Sequence, residues 1–176
     1  MNEIYISVSK KEEDMLKFLG RVGFFITDFT DKLGFSKHIV YSLIKKDLIY
    51  KEKSMFIYTK LQMPYCLTNK GKTLVKSRYL INPYRFRMSQ AEHDFVLANV
   101  YLSLNEEDRE RWITETSLGI KYPEENVTDA MYISSANESV AVEVFTNNYS
   151  EGAKELKRLF IDRHCDKSIV IDANKF

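Results

Sequence analysis

The stretch Ser36-Lys37-His38-Ile39-Val40-Tyr41-Ser42-Leu43-Ile44-Lys45-Lys46 decides how the front of this 176-residue chain reads. Ser36 is placed to cap a helix, and Ile39, Val40, Leu43 and Ile44 recur at helical spacing to form an inward stripe. The opposite face then carries Lys37, His38, Tyr41, Ser42 and Lys45. Just upstream, Thr27 can cap a short helix over residues 28–33 that stops at Gly34, the usual left-handed terminator. An earlier helix is expected over residues 11–22, where acids lead and Met15, Leu16, Leu19 and Val22 repeat. Two short helices joined by a tight glycine turn describe a helix-turn-helix.

Beyond Lys46 the chain adds a wing. Residues 48–50, 54–58 and 64–68 are β-prone runs, the first two separated by Lys51-Glu52-Lys53. The segment from Tyr65 to Val75, with Leu67-Thr68 followed by Gly71, resembles the end of the wing and the start of the next helix in bacterial winged-helix regulators. That resemblance implies that the third helix enters a DNA major groove, with Ser36, Lys37, His38, Tyr41, Ser42 and Lys45 at the interface. Lys51, Lys53 and Lys60 are expected on or near the wing, where lysines supply affinity to phosphates more than choice of sequence.

Charge supports a polyanionic partner at this end. Residues 1–87 hold 17 Lys+Arg against 8 Asp+Glu, a balance of +9, whereas residues 88–176 hold 9 against 17, a balance of −8. The formal total of +1 hides this division. Pro83, within an aromatic tether, breaks any helix and sets a boundary between a first domain at 1–82 and a second at 88–176.

In the acidic half, Ser89 with Glu92 has capping-box spacing before an apolar helix. Strands are expected over residues 111–115, 129–133 and 139–145, then a helix from about Ser150 to His164. The run Lys167-Ser168-Ile169-Val170-Ile171-Asp172 reads as a strand of the fully buried type. This order, with Asp129 opening one hairpin strand and Glu143 inside the next, resembles the PD-(D/E)XK nuclease-like superfamily. The resemblance implies Asp129 and Glu143 as carboxylates for a divalent metal and a lysine two residues beyond the Glu. Thr128 stands where the proline belongs, however, and Phe145 where the lysine does. Lys154 and Lys157 on the following helix are the available substitutes. The winged helix taken together with Glu92-His93, Trp112, Glu115, Thr128-Asp129-Ala130 and Val140-Ala141-Val142-Glu143-Val144 resembles the replication-relaxation family of plasmid and mobile-element proteins.

The expected fold class is therefore α/β (α+β), a winged helix-turn-helix followed by a nuclease-like α/β domain. The expected function is sequence-selective binding of double-stranded DNA for a mobile element's replication, mobilisation or transcription, as a homodimer on paired half-sites. An enzyme is the alternative: a magnesium-dependent endonuclease with catalytic candidates Glu92, Asp129, Glu143 and Lys154 and metal candidates Asp129 and Glu143. A further alternative is a protein-binding inhibitor or adaptor that uses the winged helix. Acidic clusters at Glu106-Glu107-Asp108 and Glu124-Glu125 oppose DNA approach, which favours decayed chemistry, no resident cofactor and a protein partner for this domain. His93 and His164 read as lone structural side chains, and Cys66 and Cys165 as buried thiols. Neither a membrane span nor a signal peptide is read, the latter from Met1 to Tyr5, and the expected location is cytoplasmic.

Overall fold

A computed structural model describes residues 6–176; the start, Met1 to Tyr5, on which the signal-peptide reading rests, lies outside them. The chain is a mixed α/β protein that divides into two compact units. One comprises the described residues up to Met55 together with Leu61–Pro83, the other Phe56–Lys60 together with Tyr84–Phe176. Among the described residues no helix is long and apolar enough to cross a membrane.

The first unit opens with α1 (Lys10–Val22), capped by Ser9 and Glu12 in a reciprocal capping box and ended by Gly23 at φ 92°. A single 3-10 turn over Thr27–Phe29 precedes α2 (Thr30–Leu33), so Thr27 does not cap the helix as its type suggested. Gly34 ends α2 in the left-handed region at φ 65°, and α3 (Lys37–Lys45) follows from Ser36. Ser36 occupies the cap position but gives no side-chain hydrogen bond; its carbonyl accepts from Ile39 and Val40. Only Val40 and Leu43 of the expected stripe are buried, while Ile39 is half-buried and Ile44 exposed.

After these helices come β1 (Ile49–Lys51), β2 (Met55–Ile57), β3 (Lys60–Gln62) and β4 (Tyr65–Leu67); β1 pairs with β4 and β2 with β3, and residues 56–60 of the second pair belong to the second unit. Strand β3 falls outside the β-prone runs. An antiparallel register sets Ile49 against Leu67, and Phe25 bridges to Tyr65. Phe18 meets Phe25 and Phe29 edge-on, within a core that includes the fully buried Leu16, Leu19, Leu43 and Leu48.

Helix α4 (Asn69–Tyr79) starts from Thr68, whose hydroxyl accepts from the Gly71 amide at 3.0 Å. Gly71 is required by close approach: a Cβ there would lie 2.0 Å from the Leu48 carbonyl oxygen, which itself accepts from the Thr68 amide. Because that obstacle is backbone, Gly71→Ala is expected to destabilise the protein by about 1–3 kcal/mol in urea unfolding, as overpacking does.

The second unit contains α5 (Ala91–Ser103), α6 (Glu106–Glu110), β5 (Trp112–Thr114), α7 (Glu115–Lys121), β6 (Ala130–Ile133), β7 (Ser139–Phe145), α8 (Glu151–His164) and β8 (Lys167–Asp172). Strand order is β5-β6-β7-β8, antiparallel except for the parallel β7 and β8. Alternation along the strands gives the sheet two covered faces. On one, Tyr101 of α5 packs edge-on against Trp112, which stacks on Tyr132. On the other, Leu118 of α7 and Phe160 of α8 enclose Met131.

Three expectations are corrected in this unit. Ser89 lies in a 3-10 turn and does not cap α5, whose cap position is Gln90 without a side-chain bond. Residues 111–115 give only a three-residue strand, because Thr114 caps α7 by accepting from the Ser117 amide. Finally, β8 is an edge strand among the described residues and not a buried one: Val170 is 53% exposed, and of the described strands β7 alone pairs with it.

Candidate functional site

In the first unit the outward face of α3 presents Lys37, His38, Tyr41 and Lys45, all exposed, with Tyr41 at 70%. Ser36 is exposed at the head of the helix. Ser42 does not belong to this face, because its hydroxyl donates inward to Glu12 Oε1 at 2.6 Å. That carboxylate, on α1 and only 4% exposed, also accepts from the Ser9 amide and from Lys46 Nζ at 2.6 and 2.8 Å. Burial pushes the Glu12 carboxyl upward, but the bonds from Lys46, Ser42 and Ser9 outweigh it and hold the group at about 2. Helix α3 is thus fastened to α1 by a charged anchor that sequence reading missed, since its members are 30 and 34 residues apart.

Lys51 and Lys53 are exposed at the end of β1 and just beyond it. Lys60 is also exposed, but it belongs with the hairpin tip that clusters with the second unit. There Tyr58 donates its amide to Glu92 Oε1 and its hydroxyl to the Ala173 carbonyl. Glu92 is therefore engaged at the tip by the Tyr58 amide. His164, on α8, faces Glu125 with Nε2 3.0 Å from Oε1. Both cysteines are free, Cys66 buried and Cys165 half-buried.

A buried carboxylate centre forms where β6 begins beside β7. Asp129, one residue before β6, is 3% exposed, and Glu143 in β7 is completely buried. Lys157, one helical turn beyond Lys154 on α8, brings Nζ within 3.2 Å of Asp129 Oδ1 and within 3.2 Å of both Glu143 oxygens. Lys154 instead pairs with Glu151, which removes it from the candidate set. Asp129 Oδ2 accepts from the Val144 amide at 2.8 Å and lies 3.1 Å from His93 Nε2. Glu143 Oε2 accepts from the Asp129 amide and lies 3.0 Å from Thr128 Oγ1, whose single proton is shared between this oxygen and the nearer Val142 carbonyl at 2.7 Å.

His93 is not a lone residue. Its Nδ1 lies 2.9 Å from Asp94 Oδ1, which also accepts from the Tyr84 hydroxyl at 2.7 Å. An imidazole with a carboxylate at each nitrogen is held as a double donor. Burial opposes that charge, but hydrogen bonds to Asp129 and Asp94 outweigh it and raise His93 to about 10. The Asp129 carboxyl is likewise pushed up by burial, then drawn below the ordinary range by His93 and Lys157. Glu143 moves the other way: burial and the Asp129 charge raise it despite Lys157. Lys157 is raised above its usual range, its two carboxylates outweighing burial.

Magnesium would require the oxygens on which Lys157 already sits. Asp129 Oδ1 and Glu143 Oε2 accept from the ammonium and Glu143 Oε1 faces it at 3.2 Å, while Asp129 Oδ2 and Glu143 Oε2 also serve other protein donors. A neighbouring cleft of about 680 Å³ is lined by His93 and Tyr149 but not by Asp129, Glu143 or Lys157. Among the described residues no group of three or more His, Cys, Asp or Glu side chains is arranged to hold a metal. With Lys157 in place these residues do not fit a divalent ion.

Compared with protein-family models, curated proteins and solved structures, the chain matches none of them.

Proposed function

We propose that this protein binds double-stranded DNA through a winged helix-turn-helix in its first unit, with α3 as the recognition helix. The observation that carries the reading is the exposed row Lys37, His38, Tyr41 and Lys45 on a helix fixed from behind by Glu12. A cationic rod with an aromatic at its centre suits a major groove, and exposed Lys51 and Lys53 supply phosphate contacts. The second unit, in this reading, is a nuclease-like α/β domain whose carboxylate centre is structural. The protein serves a mobile element's replication, transfer or transcription as a homodimer on paired half-sites.

Binding sites selected from random DNA provide the test. Tyr41→Ala and Lys37→Ala are expected to cost about 1–3 kcal/mol on the selected site wherever the side chain reaches a base edge, relaxing choice at that position. Lys53→Ala should weaken all sequences alike and reduce the salt slope by about one. Equal effects of all three on selected and random DNA would remove α3 from the recognition role.

A further inference from the structure

We infer that the outer edge of β8 is a self-association surface, on which a second copy of this chain adds its own β8 antiparallel, with Val170 facing Val170 across a two-fold axis. The inference rests on the homodimer of the proposed function, to which it gives a surface, and uses nothing of α3. Parallel pairing with β7 occupies one side of the β8 backbone, and among the described residues no strand takes the other. Such edges are ordinarily guarded by a charge, a proline or a bulge in mid-strand. Here Lys167 and Asp172 stand at the two ends, and Ser168-Ile169-Val170-Ile171 between them carries neither charge nor proline. Val170, at the centre, is 53% exposed.

What selects a second copy is self-complementarity. A two-fold axis perpendicular to a sheet leaves every side chain on its own face, so residues opposed across it lie an even number of positions apart. Centring the axis on Val170 meets that condition and sets Ile169 against Ile171 and Ser168 against Asp172, in both directions. Apolar β-branched pairs stabilise antiparallel ladders, and the Ser168 hydroxyl can donate to the Asp172 carboxylate. The neighbouring registers oppose Lys167 to Ile171 or Val170 to Asp172, which strands a charge on an apolar partner. Helix α8 is complementary about the same axis. A groove of about 460 Å³ is lined by Arg158 and Ile161 of α8 together with Val170 and Asp172, so this flank of the helix borders the edge. Asp162, one turn beyond Arg158, is exposed as Arg158 is. Two α8 helices brought together antiparallel by the strand pairing set Arg158 of each copy toward Asp162 of the other. Arg158 rests against the exposed Glu155 of its own helix at 3.5 Å, a partner it can exchange at little cost.

Sedimentation of the full chain without DNA, from about 1 to about 100 μM, is the test. The wild type should be dimeric at the upper end of that range. Val170→Lys, which sets two ammonium groups against each other at the axis, should raise the dimer dissociation constant at least about tenfold while the circular dichroism spectrum stays unchanged. Arg158→Asp and Asp162→Arg should each dimerise weakly alone, because each then meets its own copy with like charges. Mixing the two restores both opposite pairs and should restore the dimer. A wild type that stays monomeric throughout overturns the inference and the homodimer together. A dimer that Val170→Lys leaves equally tight overturns the β8 surface alone, as does a mixture no more dimeric than its components. None of these results bears on DNA binding by α3.

Discussion

Asp129→Ala is expected to lower stability by about 3–5 kcal/mol, the cost of breaking a buried ion pair while leaving its partners inside. The carboxylate serves three donors at once: Lys157 on Oδ1, and His93 with the Val144 amide on Oδ2. Its removal strands part of two positive charges and orphans the buried Val144 amide, which lies in β7 beyond its pairing with β6. For a unit of this size such a loss lowers the melting temperature by more than about 10 °C. Asp129→Asn should rescue only part of this, because an amide has one acceptor oxygen where both carboxylate oxygens now accept.

A pH signature separates this network from generic loss of packing. The His93 pKa is raised from 6.5 to about 10, so the stability it contributes is complete below about pH 6.5 and is lost as pH rises through 10. Wild-type stability should therefore decline across that alkaline window. In Asp129→Ala the decline should be smaller, since one of the two carboxylates that raise His93 is gone. Denaturant midpoints measured at pH 7 and pH 9.5 for both proteins decide the matter; equal declines would mean that His93 is not held as an imidazolium by Asp129.

Where local pattern and tertiary packing agreed, the fold was legible in the residues. Helix α1, α3 and α8 announce themselves by spacing, Gly34 and Gly71 by the turn and close approach they permit, and β7 by its long apolar run. Short elements were not. Helix α6 is Glu-Glu-Asp-Arg-Glu with no apolar face, and β3 is three residues with one buried side chain. Strand β8 has the composition of an interior strand, but composition does not reveal that among the described residues no further strand pairs beyond it.

The carboxylate centre shows the same division. Asp129 and Glu143 stand out in the sequence because they belong to the two β-prone runs of a recognisable hairpin; the structure places Asp129 one residue before β6 and Glu143 within β7. Lys157 and Lys154 are indistinguishable by type and lie on one helix, and only the packing of α8 selects the former. His93 reads as isolated because its partner Asp129 is 36 residues away. Its immediate neighbour Asp94 was the available signal: adjacent His and Asp on an otherwise apolar helix need something buried to satisfy them.

Acid should release α3 through Glu12. The carboxyl is depressed from 4.5 to about 2 in the folded protein, so its contribution is present above about pH 4.5 and is lost as pH falls through 2. At 1.36 kcal/mol for each pKa unit, the anchor amounts to about 3 kcal/mol at neutral pH. Glu12→Gln should remove most of that at pH 7 and little at pH 2, so the stability curves of variant and wild type converge in acid. Lys46, 31% exposed, can then rehydrate, which limits the penalty to the lost pairing. Ser42 and Lys46 fasten α3 to α1 through this one side chain, so under the proposed DNA-binding reading the loss should reach DNA affinity. At neutral pH and a temperature where Glu12→Gln remains folded, its affinity for selected DNA should fall more than its affinity for random DNA. An equal fall on both would mean that the anchor stabilises the unit without orienting α3.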